Sequence, residues 1–322
     1  MKSKTAIDFM ESSDITRKLY YPSGLLQGCG FSNRQRVKTK SGILVPKYEI
    51  ESSRDKNRSS ITFYESGEIN SVYLQEQTPV ITPIGQKKVE LISFYEDGSV
   101  KRVFPRYGQM SGFWSQEEEC SLIERDDCVV AENVISAKIS CFYFYPSGKI
   151  KSLTFAPGEK VNIKVAGQKI RIRNGISFYE SGAVKSVEPD EMAEIITPIG
   201  TVLAYDNLAI GISADRNSLV FFENQKVSKL KTIWSGMEIE DVTKKQTFFP
   251  EKRRSQMDYE KFELVPLELG FEENSISIVT SRGKKELFSL DCVKINLVSA
   301  LIGMPQEECS GSCSDCSSCG IA

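Results

Sequence analysis

Four cysteines fall within eleven residues, at Cys309, Cys313, Cys316 and Cys319, in the spacing C-x3-C-x2-C-x2-C. The residues between them are Ser, Gly and Asp, small enough to let a chain wrap four sulfurs around one centre. Thiolates are soft ligands, suited to zinc, cuprous copper or an iron–sulfur cluster. The 322-residue chain contains no histidine, which removes imidazole ligands, His-based catalytic triads and histidine pH switches. A metal bound by this segment must be held by sulfur, with a carboxylate such as Asp315 in support. Ordering eleven residues costs roughly 11–22 kcal/mol, and structural zinc returns about 10–16 kcal/mol. The two nearly cancel, so a metallated tail gains from lying against a folded body. A disordered free-thiol tail and a segment modified by enzymes are the alternatives.

The other five cysteines, Cys29, Cys120, Cys128, Cys141 and Cys292, are scattered, which points to core packing. Cys120 and Cys128 sit near Glu117-Glu118-Glu119 and Asp126-Asp127; acidic neighbours raise a thiol pKa and argue against an activated nucleophile. No Gly-rich phosphate loop, nucleophile elbow or Walker-type motif occurs, so the expectation is a protein that is not an enzyme. Charges nearly balance, Lys+Arg 41 against Asp+Glu 43, which argues against a dedicated nucleic-acid or anionic-membrane surface. The Met1–Asp8 stretch is followed by no apolar run, and no uncharged stretch approaches the ~20 residues of a membrane span. Nine cysteines without an export signal read as reduced thiols, hence a cytoplasmic protein.

The elements that must carry such a tail are written as a repeat. Ile92-Ser93-Phe94-Tyr95-Glu96-Asp97-Gly98 is followed by Val100 and Val103; Ile61 to Gly67 by Ile69 and Val72; Ile176 to Gly182 by Val184 and Val187. Phe142 to Gly148 leads to Ile150 and Leu153, and Leu19 to Gly24 leads to Leu26 and Cys29. A sixth copy, Phe221-Phe222-Glu223-Asn224, has Gln225 in place of Gly, and Phe271-Glu272-Glu273-Asn274 is a degenerate seventh. Aromatic and β-branched runs favour strands, and glycine supplies the positive φ of a tight turn. Each copy is therefore a β-hairpin. The turn carboxylates Glu65, Glu96 and Glu180 need no catalytic explanation. Two apolar residues three apart would face opposite sides of a plain strand, so the pattern predicts either a bulge after each turn or strands buried on both faces. Gln225 predicts strain or another turn type.

A second turn, Thr82-Pro83-Ile84-Gly85 and Thr197-Pro198-Ile199-Gly200, alternates with the first, with weaker relatives at Thr39 to Gly42 and Val165 to Gly167. The spacing of the first-type glycines is irregular, so insertions such as Arg106 to Ala137 must loop out or form local extras. Trp114, within that insertion, is either a core anchor or an exposed recognition aromatic. Beyond Leu230 the repeat fades. Lys244 to Lys261 reads as a linker or long loop, and its Lys252-Arg253-Arg254, diluted by Glu251, Asp258 and Glu260, as a solvated segment. Phe262 to Val298 suggests further strands, and Ile295 to Met304 either a strand or a short amphipathic helix.

Phe63-Tyr64-Glu65-Ser66-Gly67-Glu68-Ile69-Asn70-Ser71-Val72, with the copies at Phe94 to Val103 and Phe178 to Val187, resembles MORN-type repeats, especially the bacterial variant found in antitoxin-like proteins. The resemblance implies β-hairpin repeats used as scaffolds, adaptors or surface platforms. The reading is an all-β chain: an irregular antiparallel hairpin and meander array over 17–235 after an N-terminal tail at 1–16. A smaller β-rich region at 236–304 and the Cys/Ser/Gly-rich tail at 305–322 follow. The expected function is a non-enzymatic interaction scaffold for a protein partner, with a metal or cluster on Cys309, Cys313, Cys316 and Cys319. A small redox or metal-delivery protein docking through its β-body, and a plain scaffold with free thiols, are the alternatives.

Overall fold

The structure, a computed structural model, describes residues 14–48, 59–107, 116–209, 213–255 and 261–300. The described residues are all-β apart from one short helix, Gln116–Ser121; no helix among them is long and apolar enough to cross a membrane. One antiparallel meander carries the fold. Its strands lie side by side in chain order: Ile15–Tyr20, Leu26–Phe31, Ile61–Phe63, Ile69–Thr82, Gly85–Phe94, Val100–Phe104, Asn133–Phe144 and Ile150–Phe155. The sheet continues through Gln168–Phe178, Val184–Pro189, Leu219–Phe221, Val227–Thr232, Leu267–Glu272, Ser275–Val279 and Lys285–Ser289. It does not stop at residue 235, because the degenerate seventh copy pairs directly with the sixth.

The first six hairpins share one turn. The amide of Tyr21, Tyr64, Tyr95, Tyr145, Tyr179 or Phe222 donates at 2.8 Å to the carbonyl four residues on, and the residue three on donates back at 2.9 Å. That residue has positive φ: 84° to 89° at Gly24, Gly67 and Gly148, 77° at Gly98, 94° at Gly182, and 66° at Gln225. Gln225 therefore takes the glycine conformation and bears its strain, about 1–2 kcal/mol for a residue with a Cβ.

The apolar pair three apart is a bulge. Phe94 lies opposite Val100 and Ser93 opposite Arg102, so Lys101 is the extra residue. Asn70, Lys151, Lys185 and Ser228 are its equivalents. One unpaired residue restores the alternation, so Val100 and Val103 face the same side and both are buried. Register partners then form an unbroken apolar row, Cys29–Ile61–Val72–Ile92–Val103–Phe142–Leu153–Ile176–Val187–Leu219, one residue per strand, all buried. On the other face the matching row is small and polar, Thr62–Ser71–Ser93 at one end and Ser152–Ser177–Ser186 further along.

Successive hairpins are also joined by side chains. The hydroxyl of each turn tyrosine donates to the carbonyl of the last strand phenylalanine in the next copy: Tyr21 to Phe63 (2.8 Å), Tyr64 to Phe94 (2.7 Å), Tyr95 to Phe144 (2.7 Å), Tyr145 to Phe178 (2.8 Å) and Tyr179 to Phe221 (2.8 Å). Burial pushes the phenols of Tyr64, Tyr145 and Tyr179 above their ordinary pKa, which keeps these donors protonated. In the sixth copy Phe222 has no hydroxyl, and this series ends.

The second turn type builds a second row of hairpins beside the sheet, and these account for the irregular spacing. Thr39, Thr82 and Thr197 each accept the amide two residues on and donate to the glycine carbonyl three on. The hairpins Val37–Thr39/Gly42–Leu44, Thr78–Thr82/Gly85–Val89, Arg125–Val130/Asn133–Lys138, Val161–Val165/Gln168–Ile172 and Ala193–Thr197/Gly200–Ala204 follow one another. They touch in sequence: Ile81 amide to Ser41 carbonyl, Asn133 with Lys164, and Gln168 with the Glu194 carbonyl. The Arg106–Ala137 insertion thus supplies the helix and most of one such hairpin; Trp114 lies outside the described residues.

One local expectation is corrected and one alternative is resolved. The stretch read as a linker, Lys244 to Lys261, contains the strands Lys245–Phe248 and Glu251–Arg254, because partners at Ser235–Glu240 and Phe262–Val265 satisfy its backbone despite its charge. Of the segment Ile295 to Met304, left open between helix and strand, the part up to Ser299 belongs to the strand Lys294–Ser299, paired with Ser235–Glu240, and 301–304 lie outside the described residues. Replacing Gly182 by Ala, where nothing lies within 4 Å of the added Cβ, is expected to cost about 1–2 kcal/mol through backbone strain alone. Gln225→Gly is expected to stabilise by up to about 1 kcal/mol, the relief being offset in part by a freer unfolded chain. Urea unfolding of the two variants checks both signs.

Candidate functional site

The four cysteines expected to hold metal, Cys309, Cys313, Cys316 and Cys319, lie outside the described residues. Among the described residues no group of three or more His, Cys, Asp or Glu side chains is placed to hold a metal ion. Cys29, Cys128 and Cys141 are buried free thiols, Cys120 is half-buried, and Cys292 is exposed. Packing is therefore the place of the first three, while Cys292 corrects the expectation: it sits in the turn after the edge strand Lys285–Ser289, beyond the core. Burial pushes Cys29 and Cys141 up to about 12 and Cys128 up to about 11, the last with help from Asp126 and Asp127. These are inert thiols.

The polar face of the sheet carries the densest cluster of charge. Register places Arg102, Tyr143 and Ser152 side by side on three adjacent strands. The Arg102 guanidinium stacks 3.9 Å from the Tyr143 ring centroid and pairs with Asp215, and Ser152 Oγ donates to the same carboxylate at 2.7 Å. Lys151 Nζ stands 3.2 Å from Tyr143 Oη. Burial works to raise Tyr143, but the hydrogen bonds of Lys151 and Tyr95 and the charges of Lys151 and Arg102 outweigh it and lower its pKa. Burial likewise opposes Asp215, and its bonds from Ser152 and Arg102 win, so this carboxyl lies below its usual range.

Asp215 belongs to a strap, residues 205–218 with 210–212 outside the described residues, that crosses this face. The Ala214 amide donates to Thr154 Oγ1 (3.1 Å), Asn217 to Ser186 Oγ (2.9 Å), and Ser218 through amide and hydroxyl to Glu188 (2.8 and 2.7 Å). Beneath it Gly175, with φ at 142°, leaves no room for a Cβ, which would fall 2.1 Å from the Leu153 carbonyl oxygen and 2.5 Å from Ala214 Cβ. Arg102 and Asp215 neutralise each other, so the cluster fastens the strap.

A cleft of about 760 Å³ opens where the tyrosine series ends. Its apolar wall includes Phe222, Val227 and Phe271 from the sixth and seventh hairpins, with Ile195, Ile196 and Pro198 from a second-row hairpin. At two turns nearer the N-terminus a second-row tip fills the equivalent place: Lys40 Nζ donates to the Asp97 carbonyl at 2.6 Å, and Pro83 packs over Gly148. Here the tip residue is Ala166, which is too short to do so. The Gln168 and Gln225 amide nitrogens donate to the carbonyls of Glu194 and Val184, both at 3.2 Å, so the oxygens of these two side chains are left as acceptors. Glu272, Glu273 and Lys226 also line the opening. The sequence contained the signal for this cleft, the paired loss of Tyr and Gly at Phe222 and Gln225, but gave no sign of the strap.

Comparisons with protein-family models, with curated proteins and with solved structures find no match to this chain.

Thiol labelling checks the burial of the cysteines. With the folded protein, iodoacetamide followed by peptide mass spectrometry is expected to modify Cys292 while sparing Cys29, Cys128 and Cys141, which react only in denaturant. Rapid labelling of Cys141 in the folded state would contradict the packing described.

Proposed function

We propose that the protein is a non-enzymatic interaction scaffold that binds a protein partner through its second-row hairpins. One observation carries this reading. At the cross-strand position next to the turn, these hairpins present aliphatic side chains to solvent: Ile43 (61% exposed), Ile81 (63%), Val129 and Val134 (72% and 66%) and Ile196 (71%). Only the Val161–Val165/Gln168–Ile172 hairpin among these five breaks the series, with Lys164 opposite Lys169. Scattered exposed aliphatics are ordinary, but the same register position used hairpin after hairpin makes a ridge, and apolar surface of that kind marks contact sites. The resemblance to MORN-type scaffolds supports the same reading.

The four-cysteine segment enters as the metal-binding element of that scaffold, with zinc or an iron–sulfur cluster on Cys309, Cys313, Cys316 and Cys319. Its support is the spacing of soft ligands in a chain without histidine. A reducing cytoplasm is the compartment that suits it.

The test is a variant carrying Ile81→Thr, Val129→Thr, Val134→Thr and Ile196→Thr. Each exchange keeps a β-branched residue at an exposed site and is expected to change stability by no more than about 0.5 kcal/mol. The variant should fold and lose the partner that the wild-type protein crosslinks in cells; retention of that partner would overturn the ridge as the contact. In parallel, protein prepared anaerobically should carry stoichiometric zinc or iron that disappears when all four tail cysteines are changed to Ser. Visible absorbance with iron would assign the tail a redox role, and absence of metal in every preparation would remove it from the proposal.

A further inference from the structure

The cleft at the sixth hairpin borders the ridge at Ile196 and has a chemistry of its own. Two departures from the repeat and a short second-row tip residue coincide there. Phe222 stands where five copies have a tyrosine whose hydroxyl reaches the next hairpin. Gln225 holds a left-handed backbone where the other copies have glycine. Ala166 occupies the second-row tip position that Lys40 and Pro83 fill at two other turns; Ala131 is the same short residue in the preceding hairpin. Strain retained at Gln225 is tolerated when the side chain itself is used, and the three features together border a cleft of about 760 Å³. Clefts of this size, apolar with a few polar groups, are typical of small-molecule sites.

The charged groups of the lining lean negative: the two carboxylates of Glu272 and Glu273 outnumber the single ammonium, Lys226. Gln168 and Gln225 each spend one amide N–H on a backbone carbonyl and keep their oxygens as acceptors. A ligand that complements this lining has an aromatic or apolar body and a positively charged donor. We propose that the cleft binds a small aromatic amine. Its ring lies against Phe222, Phe271 and Val227, and its ammonium group is received by Glu272, Glu273 and the Gln225 amide oxygen.

Tryptamine is the probe, titrated calorimetrically into the full-length protein, with indole-3-propionate as the anionic counterpart of similar size. Saturable 1:1 binding of tryptamine is expected, with indole-3-propionate at least about tenfold weaker, the direction that charge complementarity dictates. Glu272→Gln/Glu273→Gln, two exposed turn residues whose loss leaves the fold intact, should weaken tryptamine several-fold. The same exchange at Glu65 and Glu96, in turns away from the cleft, should leave affinity unchanged. Phe222→Ser should abolish binding while circular dichroism shows the β-fold retained. Equal affinity for the two indoles, insensitivity to the Glu272/Glu273 exchange, or no saturable heat at millimolar tryptamine would overturn the proposal.

Discussion

One hydrogen bond, repeated five times, ties this fold together: a turn tyrosine hydroxyl donating to the backbone carbonyl at the end of the next hairpin's first strand. A meander of this kind has mostly neighbour-to-neighbour contacts, so its stability is close to a sum of hairpins and the interfaces between them. The tyrosine serves both. Its amide closes its own turn while its hydroxyl reaches the following copy, so the geometry of one turn sets the approach of the next. The bulged residue after the turn completes the arrangement. In three copies it is a lysine, and the ammonium groups of Lys101, Lys151 and Lys185 stand 5.3–5.5 Å from the ring centroids of Tyr95, Tyr145 and Tyr179, capping the tyrosine that makes the bond.

Much of this was legible in the sequence. The Phe-Tyr-Glu-Ser-Gly copies announce hairpins, and the apolar pair three apart, which does not fit a plain strand with one buried face, is reconciled with such a face by a bulge. The Thr-Pro-Ile-Gly turns were legible as turns alternating with the first kind; that their hairpins form a second row beside the sheet was not. What could not be read is long-range. The tyrosine hydroxyl finds its acceptor 30 to 49 residues away, and nothing local distinguishes that partner from solvent. The strap at 205–218 is held by Asp215, Asn217 and Ser218, ordinary loop residues whose partners lie on three different strands. The charged stretch after Lys244 looked like a linker because charge is a poor guide for edge strands, which are often solvated on both faces.

The ways the repeat departs from itself carry the functional readings. A uniform array would expose a uniform surface. Here four of the five second-row hairpins keep an aliphatic position next to the turn, and the sixth hairpin gives up both its stitching hydroxyl and its glycine beside a cleft of about 760 Å³. The polar face, by contrast, is closed by the strap and its Arg102–Asp215 pair. The exposed ridge and the cleft meet at Ile196, which belongs to both.

The dependence of the array on the tyrosine bond is tested most directly by removing and adding that one oxygen. Tyr64→Phe and Tyr145→Phe should each lower stability in urea unfolding by about 0.5–1.5 kcal/mol, the net worth of one such bond. Phe222→Tyr, which offers the missing hydroxyl to the seventh hairpin, should move the midpoint in the opposite direction. Unchanged stability in the two Tyr→Phe variants would contradict the account, since the hairpins would then be held by their backbone ladder and apolar row alone.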